Sequence, residues 1–170
     1  YTVAETKAFA TDTSSEVARM LSGADAICRS VGGSSEFFAF LGAPGVSPYT
    51  RLPGAPRGFV RPDGRPFKGE LSHTSPTYYP PSLDQTGAAV LNVVSSQVWS
   101  GAGVNGVTSA STTCGSWSGS GLVAIGPYEG VGNTWSSNAS ASCNPTTRHH
   151  FVCLEARYRA DVSPGPVPAD

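Results

Sequence analysis

Long apolar runs are missing from this chain, and so is any marked excess of one charge. No stretch approaches the ~20 consecutive apolar residues that a membrane-spanning helix needs, so membrane insertion is not expected. The net charge of −1 gives none of the basic field on which a dedicated nucleic-acid binder relies. Charged residues make up 14% of the 170 residues and hydrophobic ones 39%, both below the average of soluble domains. Catalytic signatures are lacking as well. There is no G-x-S-x-G elbow, since GSWSG has Trp117 at its centre, no H-E-x-x-H and no glycine-rich phosphate loop. Carboxylates such as Glu70, Asp84 and Glu129 are scattered rather than paired. These absences predict a non-enzymatic protein with neither membrane nor nucleic acid as partner.

The chain does contain 20 glycines, 14 prolines and four cysteines, Cys28, Cys114, Cys143 and Cys153. Gly and Pro at that level make loops a large share of the molecule. The length suits a single domain over 1–160, and the last ten residues, DVSPGPVPAD, read as a Pro-rich tail or linker over 161–170. The first residue is Tyr1 rather than methionine, as in a processed or trimmed product, so compartment must be read from the cysteines. An even count in a Gly/Ser/Thr-rich chain points to disulfides and an oxidising compartment, secreted or at the cell surface. Four cysteines allow three pairings, and spacing alone does not choose among them. A zinc site is not expected, because the nearest two, Cys143 and Cys153, stand ten apart.

Local patterns divide the chain into short elements. Lys7–Asp12 alternates modestly around Phe9 and reads as an edge strand. Gly23–Val31 places Ala24, Ile27, Cys28 and Val31 at helical spacing, with Gly32-Gly33 as the stop. The aromatic and apolar run Glu36–Leu41 reads as a buried strand. Gly58–Pro62 and Arg65–Lys68 flank Asp63-Gly64 as a hairpin would. Arg51, Arg57, Arg61, Arg65 and Lys68 oppose only Asp63 in that region; the expectation is a solvated loop face rather than an anion site. Ala88–Trp99 and Leu122–Ile125 are apolar, Gly126–Asn144 is a polar loop, and His150–Tyr158 is a final strand. His149 and His150 would face opposite sides of that strand, so joint ligation of one metal is not expected.

Three blocks carry a resemblance to a known family. VWSGAGVNG at 98–106, TTCGSW at 112–117 and ASCNPTTRHHFVCLEARY at 141–158 are similar to stretches of the endostatin domain of vertebrate collagens. GADAIC at 23–28, FFAFL at 37–41 and the Asp63-Gly64 pair occur in the same order. The pattern looks closer still to a bacterial family of lectin-C-like domains of unknown function. The resemblance implies an α+β, C-type-lectin-like (endostatin-like) fold. Its parts would be a mixed, mainly antiparallel sheet with paired terminal strands, one or two short helices, long loops and two nested disulfides. Carried over by position, the outer bridge is Cys28–Cys153 and the inner one Cys114–Cys143. The E-P-N, Q-P-D and W-N-D triplets of calcium-dependent sugar-binding lectins do not occur in this sequence. The histidines of endostatin's amino-terminal zinc site and its arginine-rich surface likewise have no counterpart. No cofactor, calcium or other metal is expected.

The polar loop is the expected recognition site. It offers Tyr128, Glu129, Asn133, Trp135 and Asn138, with Trp117 close in the pattern. Exposed aromatics stack on sugars or anchor proteins, and Asn and Glu add directional hydrogen bonds; the alternative for Trp135 is a plug within the inner disulfide loop. Asn138-Ala139-Ser140 is a glycosylation sequon for a eukaryotic secretory host. The expected function is a non-catalytic binding module for a glycan or an extracellular protein. The alternatives are a structural spacer in a larger surface protein and a hydrolase, the latter requiring His73 to meet carboxylates in space.

Overall fold

A computed structural model describes residues 2–5, 17–54, 57–90, 97–117, 119–130, 132–143 and 150–156, with 2–5 and 17–20 as backbone. In chain order the strands and helix are β1 (Thr2–Glu5), α1 (Val17–Gly32), β2 (Phe37–Ala39), β3 (Arg57–Val60), β4 (Pro66–Glu70), β5 (Gln97–Trp99), β6 (Leu122–Pro127), β7 (Ala139–Ser142) and β8 (His150–Glu155). The class is α+β with a mixed sheet. The expected strand at Lys7–Asp12 and the tail at 161–170 lie outside the described residues, as do 91–96 of the apolar stretch Ala88–Trp99.

β8 organises the main sheet, whose order is β1-β8-β5-β6-β7. β1 runs antiparallel along one edge of β8, from Thr2 opposite Cys153 to Glu5 opposite His150. The other edge is shared: β5 lies parallel at His150 and Phe151, and β2 antiparallel from Cys153 to Glu155. A strand enclosed in this way must be apolar on both faces, and FVCL supplies that. Phe151 and Cys153 face α1 together with Ala24, Cys28, Leu41, Trp99, Trp117, Val123 and Ile125. Val152 and Leu154 face the loop side with Phe40, Tyr49, Phe59, Phe67, Val98 and Trp135.

α1 begins earlier than its pattern suggests and is turned slightly about its axis. Ala24 and Cys28 are fully buried, but Ile27 is 37% exposed and Asp25 is buried in its place. The physical reason is an ion pair. The Asp25 carboxylate accepts the Ala39 N–H at 2.8 Å and meets the Arg51 guanidinium at 2.5 Å, while Arg51 also donates to the Ala39 carbonyl. The pair thus caps the outer edge of β2, whose main-chain groups would otherwise be buried without partners.

β3 and β4 form a separate hairpin. Gly64 takes a φ of 82°, and its N–H donates to the Arg61 carbonyl at 2.9 Å. Asp63 accepts from Arg61 at 2.6 and 3.0 Å, and that contact holds its carboxyl below the usual range. The bridges are Cys28–Cys153, joining α1 to β8, and Cys114–Cys143, joining the end of β7 to the turn Cys114–Trp117. That turn is left-handed, with φ of 52, 60, 67 and 62°, a conformation that costs a non-glycine residue about 1–2 kcal/mol. The inner bridge and the Trp117 indole, which donates to the Gly42 carbonyl at 2.8 Å, hold it in place. No helix among the described residues is long and apolar enough to cross a membrane.

Candidate functional site

On the loop side of the sheet, segments 43–50, 71–75 and 103–108 enclose a cavity of about 450 Å³. Each wall has a local cause. Ala43 and Val46 exchange main-chain hydrogen bonds at 2.8 and 2.9 Å around a turn at Gly45. In the third segment Gly103 N–H donates to the Val107 carbonyl at 2.8 Å, and Asn105 Oδ1 accepts the Val107 N–H at 3.2 Å. Two side chains tie these walls together: Ser47 Oγ donates to the Gly106 carbonyl at 2.8 Å, and Thr108 Oγ1 to the Ala43 carbonyl at 2.7 Å. Gly106, at a φ of 77°, is required on two counts, because a Cβ there would also stand 3.1 Å from His73 Cβ.

His73 comes from the middle segment and meets Tyr49 edge to face, with ring centroids 5.8 Å apart. Tyr49 is held from below by its hydroxyl, 2.6 Å from Ser136 Oγ, and burial pushes its pKa up. His73 Nε2 is buried without a hydrogen-bond partner. The lining is mixed: Leu71 and Val107 are apolar, whereas Ser47, Thr50, Ser72, Asn105 and Thr108 are polar, and Val46, Val104 and Val107 are exposed to 43, 78 and 60% on the two tied walls. A second cavity of about 320 Å³ shares Tyr49, Thr50, Leu71 and Ser72 and runs on to Arg57 and Glu70, which face each other at 3.7 Å. The result is a groove whose first cavity is lined by hydroxyls, one amide and aliphatic groups without a charged side chain, with the His73 ring in its wall.

The residues expected at the site do not gather there. Trp117, Tyr128 and Trp135 are buried core side chains, so they offer no stacking face to a ligand. Trp117 lies on the α1 side of the sheet and Tyr128 and Trp135 on the other. Trp135 packs at 4.7 Å from Phe40 and 5.1 Å from Phe67, away from the inner disulfide it was an alternative plug for. Glu129 and Asn138 are exposed, and Asn133 is half-buried with an unpartnered Oδ1. Within the expected loop Gly126–Asn144 the structure has a strand, β7, pairing antiparallel with β6.

The five cations of 51–68 are not a solvated face. Arg51 is buried against Asp25, and Lys68 is fully buried. Arg61 is enclosed by Asp63, Pro80 and Ser82 and lies with Arg65 over the Tyr79 ring, at 5.9 and 5.3 Å. Only Arg57 and Arg65 remain largely exposed. His73 makes no ion pair with a carboxylate among the described residues, and no group of three potential metal ligands occurs among them. His149 lies outside the described residues, and His150 is buried, its ring 6.4 Å from that of Tyr128. What sequence reasoning missed are Tyr49, Asn105 and Val107, whose signal is the repeated Gly-x-x-Gly turn chemistry rather than any motif. No protein-family model matches the chain, and no curated protein matches it.

Proposed function

We propose that the chain is a secreted or cell-surface, non-catalytic binding module with a C-type-lectin-like, endostatin-like fold, and that it recognises an extracellular protein through the groove around His73. Paired terminal strands and nested bridges support the fold reading. The observation that carries the function is the uncharged groove between the three loop segments, with exposed valines on its walls. A partner's apolar side chain would cover the valines and its peptide groups would pair with the hydroxyls and the Asn105 amide of the lining, leaving no unpaired charge in the contact. A glycan is the weaker occupant, because sugar faces stack on exposed aromatic rings and Tyr49 is buried.

Parallel arrays of extracellular matrix proteins and glycans test this. Wild-type protein should bind a protein spot, and Val107→Asp and His73→Ala should each weaken that binding about tenfold or more, the loss expected when a hot-spot contact is removed. Val107→Asp should leave the melting temperature unchanged, because Val107 is exposed, whereas His73→Ala also removes the ring packed on Tyr49 and should lower it somewhat. Binding to glycans alone, or protein binding indifferent to Val107→Asp, would move the site elsewhere.

Calcium should be irrelevant to this fold. A calcium site takes about six to eight oxygens, usually several from carboxylates, and the segment 126–144 contains only Glu129. Chelator is expected to leave the melting temperature unchanged. A saturated site would add about 2.7 kcal/mol, hence a drop of several degrees on its removal, and a drop of that size would make Glu129, Asn133 and Asn138 the first ligands to mutate.

A further inference from the structure

The main sheet ends at β7, the outermost strand in the order β1-β8-β5-β6-β7. Its sequence, Ala-Ser-Ala-Ser, carries no charge, no proline and no large side chain, and Ala139, Ser140 and Ser142 are exposed. Edge strands are ordinarily blunted by charges, prolines, bulges or a covering element, because their unpaired main-chain groups can template another strand. Among the described residues no charge, proline or covering element lies along β7.

The ladder phase shows which groups are open. Ser142 lies opposite Leu122, Ala141 opposite Val123 and Ser140 opposite Ala124. One step further on, Cys143 N–H donates to the Gly121 carbonyl at 2.9 Å. Antiparallel pairs alternate between hydrogen-bonded and non-bonded, so Cys143, Ala141 and Ala139 turn their main-chain groups to β6. Ser140 and Ser142 turn theirs outward, where no hydrogen bond satisfies them among the described residues. The Cys114–Cys143 bridge pins one end of this edge.

We infer that β7 is a self-association edge, pairing antiparallel with β7 of a second copy of this chain across a two-fold axis. That arrangement is self-complementary. Centring it on Ala141 puts Ser140 opposite Ser142 of the partner subunit and the reverse, so both outward-facing residues of each copy exchange N–H and carbonyl bonds in one register. Serine faces serine and alanine faces alanine, with no like charges opposed. The two six-stranded sheets become continuous through this contact.

The experiment uses the whole chain, produced in a host that leaves Asn138 unglycosylated, followed by sedimentation equilibrium from micromolar to millimolar concentration. The expected result is a mass moving toward a dimer as concentration rises. Over the same range, amide exchange at Ser140 and Ser142 should slow about tenfold while Ala139 and Ala141, already bonded to β6, stay constant. Ser142→Pro removes an outward donor at a site where an edge strand accepts proline. It should weaken dimerisation about tenfold or more, with the melting temperature retained. The double variant Ser140→Lys/Ser142→Lys keeps every main-chain group but opposes lysines across the axis, and it decides the matter if the proline variant does not fold. A monomer at every concentration overturns the inference, including one whose β7 pairs with a different protein. So does a dimer that persists in the lysine variant or protects amides other than those of Ser140 and Ser142.

Discussion

Replacing Cys28 and Cys153 with alanine is expected to unfold this domain or bring it to the edge of unfolding. The outer bridge spans 125 residues and the inner one 29. The entropy of closing loops of those lengths in the unfolded chain corresponds to about 5 and 4 kcal/mol, against a typical net stability of about 5–15 kcal/mol. The inner loop lies wholly within the outer one, so the two contributions do not simply add. Cys28 and Cys153 are fully buried beside Ala24, Leu41 and Phe151, and their loss also leaves a packing defect between α1 and β8. Losing the inner bridge should cost less than its loop length suggests, because it frees Cys114, Ser116 and Trp117 from positive φ. Exposure sets the order of reduction: Cys143 is half-buried at the sheet edge, whereas both sulfurs of the outer bridge are enclosed. Graded reductant, with thiol labelling read by mass and folding read by circular dichroism, should show Cys114–Cys143 opening first in a still-folded protein. Cys28–Cys153 should then open together with global unfolding. Labelling of Cys28 before Cys143 would contradict this account.

How legible these features were in the sequence follows from how local their causes are. The hairpin of β3 and β4 rests on Asp63-Gly64, where a glycine at positive φ and one carboxylate settle the turn. β8 and β2 are short apolar runs, readable because both faces of each strand are covered. β7 was not readable. Ala-Ser-Ala-Ser has neither β-branched nor aromatic residues, and its strand state is set by pairing with β6 alone. Trp135 was misleading for a related reason: its neighbours are polar, yet Phe40 and Phe67, far away in sequence, form the pocket that takes its ring. Arg51 and Lys68 look like surface cations in a Pro/Gly-rich stretch. Their burial depends on Asp25 in one case and on the 70–77 turn in the other, neither of which a charge count can see. His73 carries no motif at all, and its place in the groove depends on Tyr49 and the close approach of Gly106.

Lys68 leads to the second expected result of large size, a stability that increases as the solution becomes alkaline. Its side chain is fully buried, and Nζ donates to the carbonyl and the hydroxyl of Ser75. That hydroxyl passes its own proton donor to the Glu70 carbonyl at 2.5 Å. No carboxylate forms an ion pair with Lys68 among the described residues. Neutral acceptors only partly offset the loss of hydration, so desolvation lowers the Lys68 pKa from 10.5 to about 8. Between those two values the unfolded chain binds more protons than the folded one, and stability therefore rises with pH through that window. Below pH 8 the whole penalty is present, of order 3 kcal/mol at about 1.4 kcal/mol per pKa unit. Tyr49 sets the upper limit. Its pKa is raised by burial, so the folded state keeps a proton that the unfolded state releases above pH ~10, and stability declines again as pH climbs through that range.

Urea unfolding at successive pH values from 7 to 9.5 should accordingly show the wild-type free energy rising by about 2 kcal/mol. All four cysteines are bridged, so thiol exchange does not cloud the alkaline points. In Lys68→Met the methylene stem is replaced by an apolar chain of similar volume, with nothing to titrate. The variant should be at least as stable as wild type at pH 7, because an unpaired buried charge has been exchanged for packing, and its free energy should stay level across the range. Two results would sink the argument: a wild-type free energy that is flat or falling between pH 7 and 9.5, or a Lys68→Met variant with the wild-type slope. The second would assign the rise to another group. A variant much weaker than wild type at pH 7 would instead show that the contacts with Ser75 outweigh the burial of the ammonium, and that Lys68 is a net tie between β4 and the turn that follows it.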